Sequence, residues 1–412
     1  MKKVKKITTL LLVLAMMLSL LACGQKSSEE PMAETEKVEA EENEGAEVQE
    51  EEAQTETSGD PIYVGVLAPL TGTMAEYGKT YEVAMTMAME EINAAGGING
   101  RELVLDFSDS KGEQNEAADL AAAFAEDDKY VAVLGDFSSG CAMAAAPVCD
   151  EAGIVLFSPT ASSVDFAPMS DYCFQIAGRS DGEGIYAAKY IVGKYVGAKN
   201  VAIFSMNTDW GVSTRNYFAD AAQEAGINIV FDETYAEGES DFTSLITKAE
   251  AAAPDCVVII DQSSTSNLIN QISGYGWDCQ IVMVGPSTSQ QVLELCGENC
   301  EGVLTTAAIF YSEEEPEVWE FAQEFAERAK FQPTVMAGYA YDAVYVLKDA
   351  IEKLDDDFSR EDVRESLAAT DGTYMTGPIK FSEIGDISRS YLICQISDGK
   401  YTVKCGYDYA EQ

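Results

Sequence analysis

From Ile62 onward, short apolar runs alternate with helical segments, and the alternation passes through two successive series. The first series predicts strands at 62–67, 103–107, 130–134 and 154–157, separated by helices at 81–95, 116–125 and 138–151. The second predicts a helix at 181–195, then strands at 201–205, 227–235, 256–261, 281–284 and 302–308 with helices between them. Helices at 316–330, 335–354 and 360–369 follow, and the chain closes on short strands near 379–381 and 391–396. Strands spaced by helices predict parallel central sheets covered on both faces. Two series in a body of about 350 residues, long for one core, predict an α/β protein of two doubly wound lobes. Ligands of such sheets sit where strand carboxyl ends meet helix N-termini, so facing edges predict a ligand cleft between the lobes. One long-sheet enzyme domain would carry the same periodicity.

The N-terminus is of another kind. Lys2, Lys3, Lys5 and Lys6 precede an apolar run at 7–21, closed by Leu20-Leu21-Ala22-Cys23. A basic segment, an apolar run and a small residue at the cut are the layout of a secretory signal. The run falls short of the roughly 20 residues that span a bilayer. A cysteine directly after Leu-Leu-Ala resembles the bacterial lipobox, which implies cleavage before Cys23, lipidation of Cys23 and a place on the outer face of the cell membrane. Residues 24–60 hold fourteen acids, two lysines and no aromatic residue. Such a stretch cannot bury enough apolar surface to fold and predicts an acidic, disordered linker.

Composition removes several functions. The chain carries a formal charge of −45, and residues 61–412 carry −37. That surface argues against nucleic acid, whose binders need basic patches. The absence of histidine excludes Ser-His-Asp and Cys-His catalysis and histidine metal sites. Carboxylate-pair hydrolysis survives that argument. Of ten cysteines, nine remain after Cys23. Cys141 and Cys149, eight apart on a helix, lie about 12 Å apart and cannot bridge. Cys256 reads as a small core residue. Cys296 and Cys300 could pair in a loop, whereas a helical turn would spoil the geometry; zinc lacks a C-x-x-C pair to support it. Free thiols, no metal and no cofactor are the expectation.

Several blocks, in order, resemble the type I periplasmic binding proteins, and most of all the branched-chain amino acid (leucine/isoleucine/valine) binding family of ABC importers. They are 68–78 (APLTGTMAEYG), 90–100 (EEINAAGGING), 135–140 (GDFSSG), 151–154 leading into 158–162 (SPTAS), 241–245 (DFTSL) and 376–379 (TGPI). The resemblance spans essentially all of residues 61–412. It implies a three-stranded hinge with crossings near Gly178, Ala308 and Arg389. Its lobes would be 61–179 with 309–389 and 180–308 with 390–412, after a signal peptide at 1–22 and a lipidated linker at 23–60. It further implies a monomer that binds a small molecule and partners permease and ATPase subunits. A ligand-binding sensor acting through a membrane partner, and an extracellular two-carboxylate hydrolase, are the competing functions.

The expected ligand-binding residues follow. Ser138 and Ser139 stand where a strand gives way to a helix, whose first N–H groups lack partners and favour an anion. A seryl N-cap accounts for one of them more easily than for both. The resemblance implies that Thr160, Ala161 and Ser162 hold a ligand's carboxylate and ammonium; local turn bonding is the alternative. Tyr77 and Trp210, each followed by glycine in an expected loop, could sandwich an apolar side chain or a cation across the cleft, or pack in the core. In the second lobe the match loosens. Ser287 stands after Gly285-Pro286 where the family has an acid, and Gln262 where it has tyrosine. A buried ammonium needs a carboxylate, so either Asp181, Asp209 or Asp261 supplies it or the ligand carries no ammonium.

Overall fold

The computed structural model describes residues 59–285, 290–311, 313 and 315–411. The signal, Cys23, nearly all of the linker and Ser287 lie outside the described residues. The first series is β1 (Ile62–Ala68), α1 (Ala75–Ala94), β2 (Leu103–Asp109), α2 (Gln114–Glu126), β3 (Tyr130–Leu134), α3 (Ser139–Ala152), β4 (Val155–Ser158) and β5 (Cys173–Gln175). The second is α4 (Ser180–Tyr186), prolonged by a π-helical stretch (Ala187–Val196), then β6 (Asn200–Met206), α5 (Asp209–Glu224), β7 (Asn228–Tyr235), α6 (Thr243–Ala251), β8 (Cys256–Ile260), α7 (Thr265–Tyr275), β9 (Gln280–Val284), α8 (Gln290–Cys296) and β10 (Leu304–Ala307). The chain ends with α9 (Pro316–Ala329), α10 (Val335–Ile351), α11 (Arg360–Ala368), β11 (Asp371–Tyr374), β12 (Gly377–Lys380), β13 (Leu392–Ser397) and β14 (Lys400–Cys405).

Five parallel strands form the first sheet, in the order β2-β1-β3-β4-β5. Seven form the second, in the order β14-β13-β10-β9-β8-β6-β7. There β6 to β10 run parallel, and β13 and β14 join antiparallel. Strand β8 (CVVII) is buried at every residue, as a central strand covered on both faces must be. Edge strand β7 keeps several residues exposed. The late helices α9 and α10 pack on α1, so the chain returns to the first sheet before β13 and β14 complete the second. One apolar cluster joins Val66, Tyr81 and Val344 to Ile191, Ile203 and Val282, which links the two sheets. Phe204, Ile246 and Leu268 seat α6 and α7 on the second sheet, and Leu67, Phe124 and Ala145 seat α2 and α3 on the first. The fold is that of two doubly wound α/β lobes around parallel sheets.

Two helices begin a turn or more earlier than the sequence predicts, α1 at Ala75 where the pattern starts at Tyr81, and α5 at Asp209 where it starts at Thr214. Tyr77 and Trp210 therefore lie in first helical turns and not in loops. The glycines after them explain the error. A Cβ on Gly78 would stand 2.2 Å from the Pro69 carbonyl oxygen, and one on Gly211 2.2 Å from that of Met206. Each glycine lets a helix start hard against the exit of the preceding strand, so it marks close approach and not a turn. Strands β5, β11 and β14 were not expected; β5, with three residues, is too short for periodicity to show. The nine described cysteines are free thiols. No helix among the described residues is long and apolar enough to cross a membrane.

Candidate functional site

The carboxyl ends of β3, β4, β6, β8, β9 and β10 turn toward one cavity that opens to solvent. Its walls come from different parts of the chain and are built differently.

The first wall is made by the loops after β3 and β4. Ser138 caps α3 by accepting a hydrogen bond from Cys141 N–H at 3.2 Å. Ser139 Oγ accepts from the backbone N–H groups of Ser162 and Ser163, each at 3.2 Å, and so ties the two loops together. Thr160 Oγ1 donates to the Phe137 carbonyl at 2.9 Å and receives the Tyr81 hydroxyl at 2.6 Å. Ser158 Oγ donates to the Asp136 carbonyl at 2.7 Å and accepts from Ala161 N–H at 2.9 Å. The Asp136 carboxyl is fully buried, and burial raises its pKa to about 6. The amides of Ser139 and Gly140, in the first turn of α3, have no acceptor among the described residues; they are the orphan donors of a helix start.

The second wall gathers Arg179 and Glu183 from the start of α4, Trp210 from α5, Gln262 after β8, Gly285 after β9 and Thr306 from β10. Glu183 Oε1 accepts from Gly285 N–H at 3.0 Å and from the Thr306 hydroxyl at 2.6 Å. Its Oε2 takes no hydrogen bond among the described residues. Burial raises the pKa of this carboxyl, and its two hydrogen bonds work the other way. Arg179 holds two acids: Nε and Nη2 donate to Asp181, each at 3.0 Å, and Nη1 donates to Asp386 at 2.8 Å. Gly285 lies against the Trp210 indole, with a Cβ position only 2.2 Å from the ring. Phe137, Met336, Tyr339 and Tyr391 supply apolar surface.

Hydrogen bonds among the described residues cross between the two sides of the cleft, and Gln291 N–H reaches Glu76 Oε1 at 3.5 Å from α8 to α1. The Tyr77 hydroxyl donates to the Gln262 carbonyl at 3.0 Å, Gln114 Nε2 donates to Asp209 at 3.3 Å, and Ser180 N–H donates to the Ser162 carbonyl at 2.6 Å. The cleft is closed.

Of the residues expected at the site, Ser139, Thr160, Ser162, Trp210 and Gln262 line the cavity. Ser138 lines the outer mouth. Ala161 is wholly buried beside the cavity and does not line it. Tyr77 does not sandwich a ligand with Trp210: its ring stacks on Phe137 at 4.0 Å, and Phe137 faces the cavity in its place. Asp181 is held by Arg179 and stays out of the lining. Asp209 sits at the mouth. Asp261 is spent on its own loop, accepting from Ser263 N–H at 2.7 Å and from the Tyr235 hydroxyl at 2.7 Å. The acid that reaches the cavity is Glu183, which sequence reasoning missed. Its one sequence signal, a carboxylate in the first turn of a helix, is also the ordinary dipole-favoured choice, and the chain has 71 acids.

A two-lobed α/β protein with a closed cleft at its sheet edges defines a class, and the sequence assigns the chain within it. Residues 61–400 match the periplasmic binding protein family, and the chain belongs to that family. An amino acid binding protein of Pseudomonas aeruginosa is 33% identical over 197 residues, 48% of this chain and about half (52%) of that relative. Leu/Ile/Val-binding protein homolog 3 of Brucella melitensis is 29% identical over 82% of this chain and 92% of its own length. Among solved structures, the branched-chain amino acid transporter substrate-binding protein LivJ of Streptococcus pneumoniae, in complex with isoleucine, superposes with a TM-score of 0.77 at 24% identity, covering 84% of this chain and 99% of that one. A solute-binding protein of an R. palustris ABC transporter, in complex with benzoate, also superposes at 0.77, with 20% identity over 84% of this chain and 96% of that one.

Proposed function

We propose that this protein captures a small carboxylate-bearing molecule, an amino acid or a related acid, by closing its two lobes, and delivers it to the permease and ATPase subunits of an ABC importer. The observation that carries the reading is the convergence of Ser139, Thr160 and Ser162 with Trp210, Gln262 and Gly285 on one cavity at the facing sheet edges. Free helix-start amides and hydroxyls suit a carboxylate, and the aromatic surface suits an apolar side chain. The names of the relatives and structural neighbours support the same reading. A two-carboxylate hydrolase finds no support, because Glu183 is the single acid among the described residues lining the cavity. The Leu-Leu-Ala-Cys signal supports a further part of this reading, a protein on the outer face of the cell membrane held by lipid on Cys23 through an acidic leash. Changing Cys23 to Ala should move the protein from the membrane fraction to the soluble fraction; retention would rule the anchor out.

The test of function is a thermal-shift screen of the purified protein against amino acids, small carboxylates and sugars. A ligand at a hundred times its Kd stabilises by about 2.7 kcal/mol. Stabilisation by sugars alone, or by nothing in the panel, would end the proposal.

A further inference from the structure

The nine described thiols do not share one environment. Two of them, Cys296 and Cys300, are hydrogen-bond partners of each other. The turn between them explains how. Helix α8 ends at Cys296, and Gly297, at a φ of +52°, turns the chain out of the helix. The 3₁₀ turn Gly297–Cys300 then brings Cys300 back to Cys296. A continuous helix, which would have spoiled the pairing, is broken at the one residue where it matters. Both cysteines are buried, in the apolar cluster of Leu268, Ile269 and Ile272 from α7. Cys296 Sγ also donates to the Ser266 carbonyl at 3.6 Å, and Cys300 Sγ to the Gly297 carbonyl at 3.1 Å. Gly297, Glu298 and Asn299 are exposed, so the turn that joins the thiols faces solvent. No group of three or more metal-ligating side chains stands together among the described residues. Elsewhere, Cys149 and Cys173, and Cys256 and Cys279, act on each other through charge and not through a hydrogen bond. The thiols differ in reactivity as well. Burial pushes seven of them above the ordinary range. Cys296 rises through its hydrogen bond to Cys300 and then through burial, and the same bond draws Cys300 down. Of the nine, Cys300 is therefore the readiest nucleophile.

We propose that Cys296 and Cys300 are a modification site, a pair that a peroxide converts to a disulfide, and that this bond fastens the end of α8. Periplasmic binding proteins work outside the cytoplasmic membrane, where disulfides persist. A peroxide is small enough to reach sulfurs that lie beside an exposed turn. The Cys300 thiolate attacks one peroxide oxygen and the O–O bond breaks. A sulfenic acid forms, and the expelled hydroxide takes the proton that Cys300 released and leaves as water. Cys296 Sγ then attacks the Cys300 sulfur, the S–O bond breaks, and the hydroxyl departs with the Cys296 proton as a second water. Two thiols are oxidised and one peroxide is reduced. The turn is already held on α7, where Asn299 Nδ2 donates to Asn270 at 2.8 Å and Ser273 Oγ donates to Asn299 at 2.9 Å. At its other end α8 follows the loop after Gly285 and reaches Glu76 of α1 through Gln291 N–H. Closing the ring restricts the unfolded chain and anchors α8 at the end away from the cleft.

The experiment treats the purified, reduced protein with hydrogen peroxide, removes the excess, unfolds the protein in an alkylating agent and cuts the chain after glutamate. Glu298 lies between the two cysteines, so the cut separates them unless a disulfide joins them. The expected result is fragment 295–298 joined to fragment 299–301, two hydrogens lighter than the separate pieces together. Cys141, Cys149 and Cys256 should remain open to alkylation. The melting temperature of the oxidised protein should stand about 2–3 °C above that of the reduced form. Cys296→Ser should abolish both the joined fragments and the rise. Where that variant does not fold, the comparison of oxidised with reduced wild-type protein decides the matter. Recovery of Cys296 and Cys300 as separate alkylated fragments, as sulfinic acids or linked to other cysteines would overturn the proposal. Joined fragments with no rise in melting temperature would overturn it too, since the bond would then fasten nothing.

Discussion

The two walls of the cleft bind their own residues in opposite ways. The first is made of two adjoining loops that bond to each other, with Ser139, Ser158 and Thr160 each linking one loop to the other. The second draws one or two residues from each of five places between Arg179 and Thr306, and its central bond, Glu183 to Gly285 and Thr306, joins positions about a hundred residues apart. A wall of the first kind is rigid before any ligand arrives. A wall of the second kind depends on how α4, β9 and β10 pack, and it can change its chemistry by a single substitution without disturbing its neighbours.

Breaking the first wall should cost the most. Ser139→Ala removes the acceptor shared by the buried amides of Ser162 and Ser163. At about 1–3 kcal/mol for each orphaned group, the loss should be about 4 kcal/mol in denaturant melts. A loss below about 1 kcal/mol would mean that Ser139 serves the ligand alone and not the loops. In the second wall, Gly285→Ala drives a Cβ into the Trp210 indole at a φ of +78°. Overpacking and the left-handed backbone together should cost about 3 kcal/mol; a neutral result would show that the indole is free to move aside.

A third test separates the walls by pH. Asp136 has a folded pKa of about 6 against an ordinary 3.8. The folded state therefore holds this proton more tightly than the unfolded chain. The stabilisation is complete below about pH 4 and is lost as pH rises through about 6. It amounts to roughly 3 kcal/mol. Asp342, also raised to about 6 by burial, acts in the same direction from outside the cleft. Asp136→Asn should flatten part of the fall in stability between pH 4 and 6.5. An unaltered pH profile would show that Asp136 does not titrate there. The smallest effect belongs to the bond between walls. Tyr77→Phe removes the hydroxyl that reaches the Gln262 carbonyl. It should leave the melting temperature of the unliganded protein in place and weaken ligand affinity about fivefold, equivalent to about 1 kcal/mol of closure.

What could be read from the sequence follows the same division. The order of strands and helices in both lobes was legible because apolar periodicity is local, and the first wall was legible because its serines and threonines fall within short segments at strand exits. Gly78 and Gly211 misled because a glycine that permits close packing and a glycine that permits a turn look alike in one dimension. Glu183 was invisible for a stronger reason. Its meaning arises from Gly285, Thr306 and the engagement of Arg179 with two other acids, and none of these is near it in the chain except Arg179 and Asp181. Asp181 drew attention as one of three acids able to meet an ammonium, yet Arg179 claims it.

The indole pressed against Gly285 has a practical consequence. The chain holds three tryptophans. Trp277 lies in a groove beside β9, and Trp319 on α9 lines a separate depression. Of the three, Trp210 alone faces the cleft cavity. With Trp277 and Trp319 replaced by phenylalanine, the protein would carry one intrinsic fluorophore at the point where cargo arrives, and its emission would report occupancy in real time without a label.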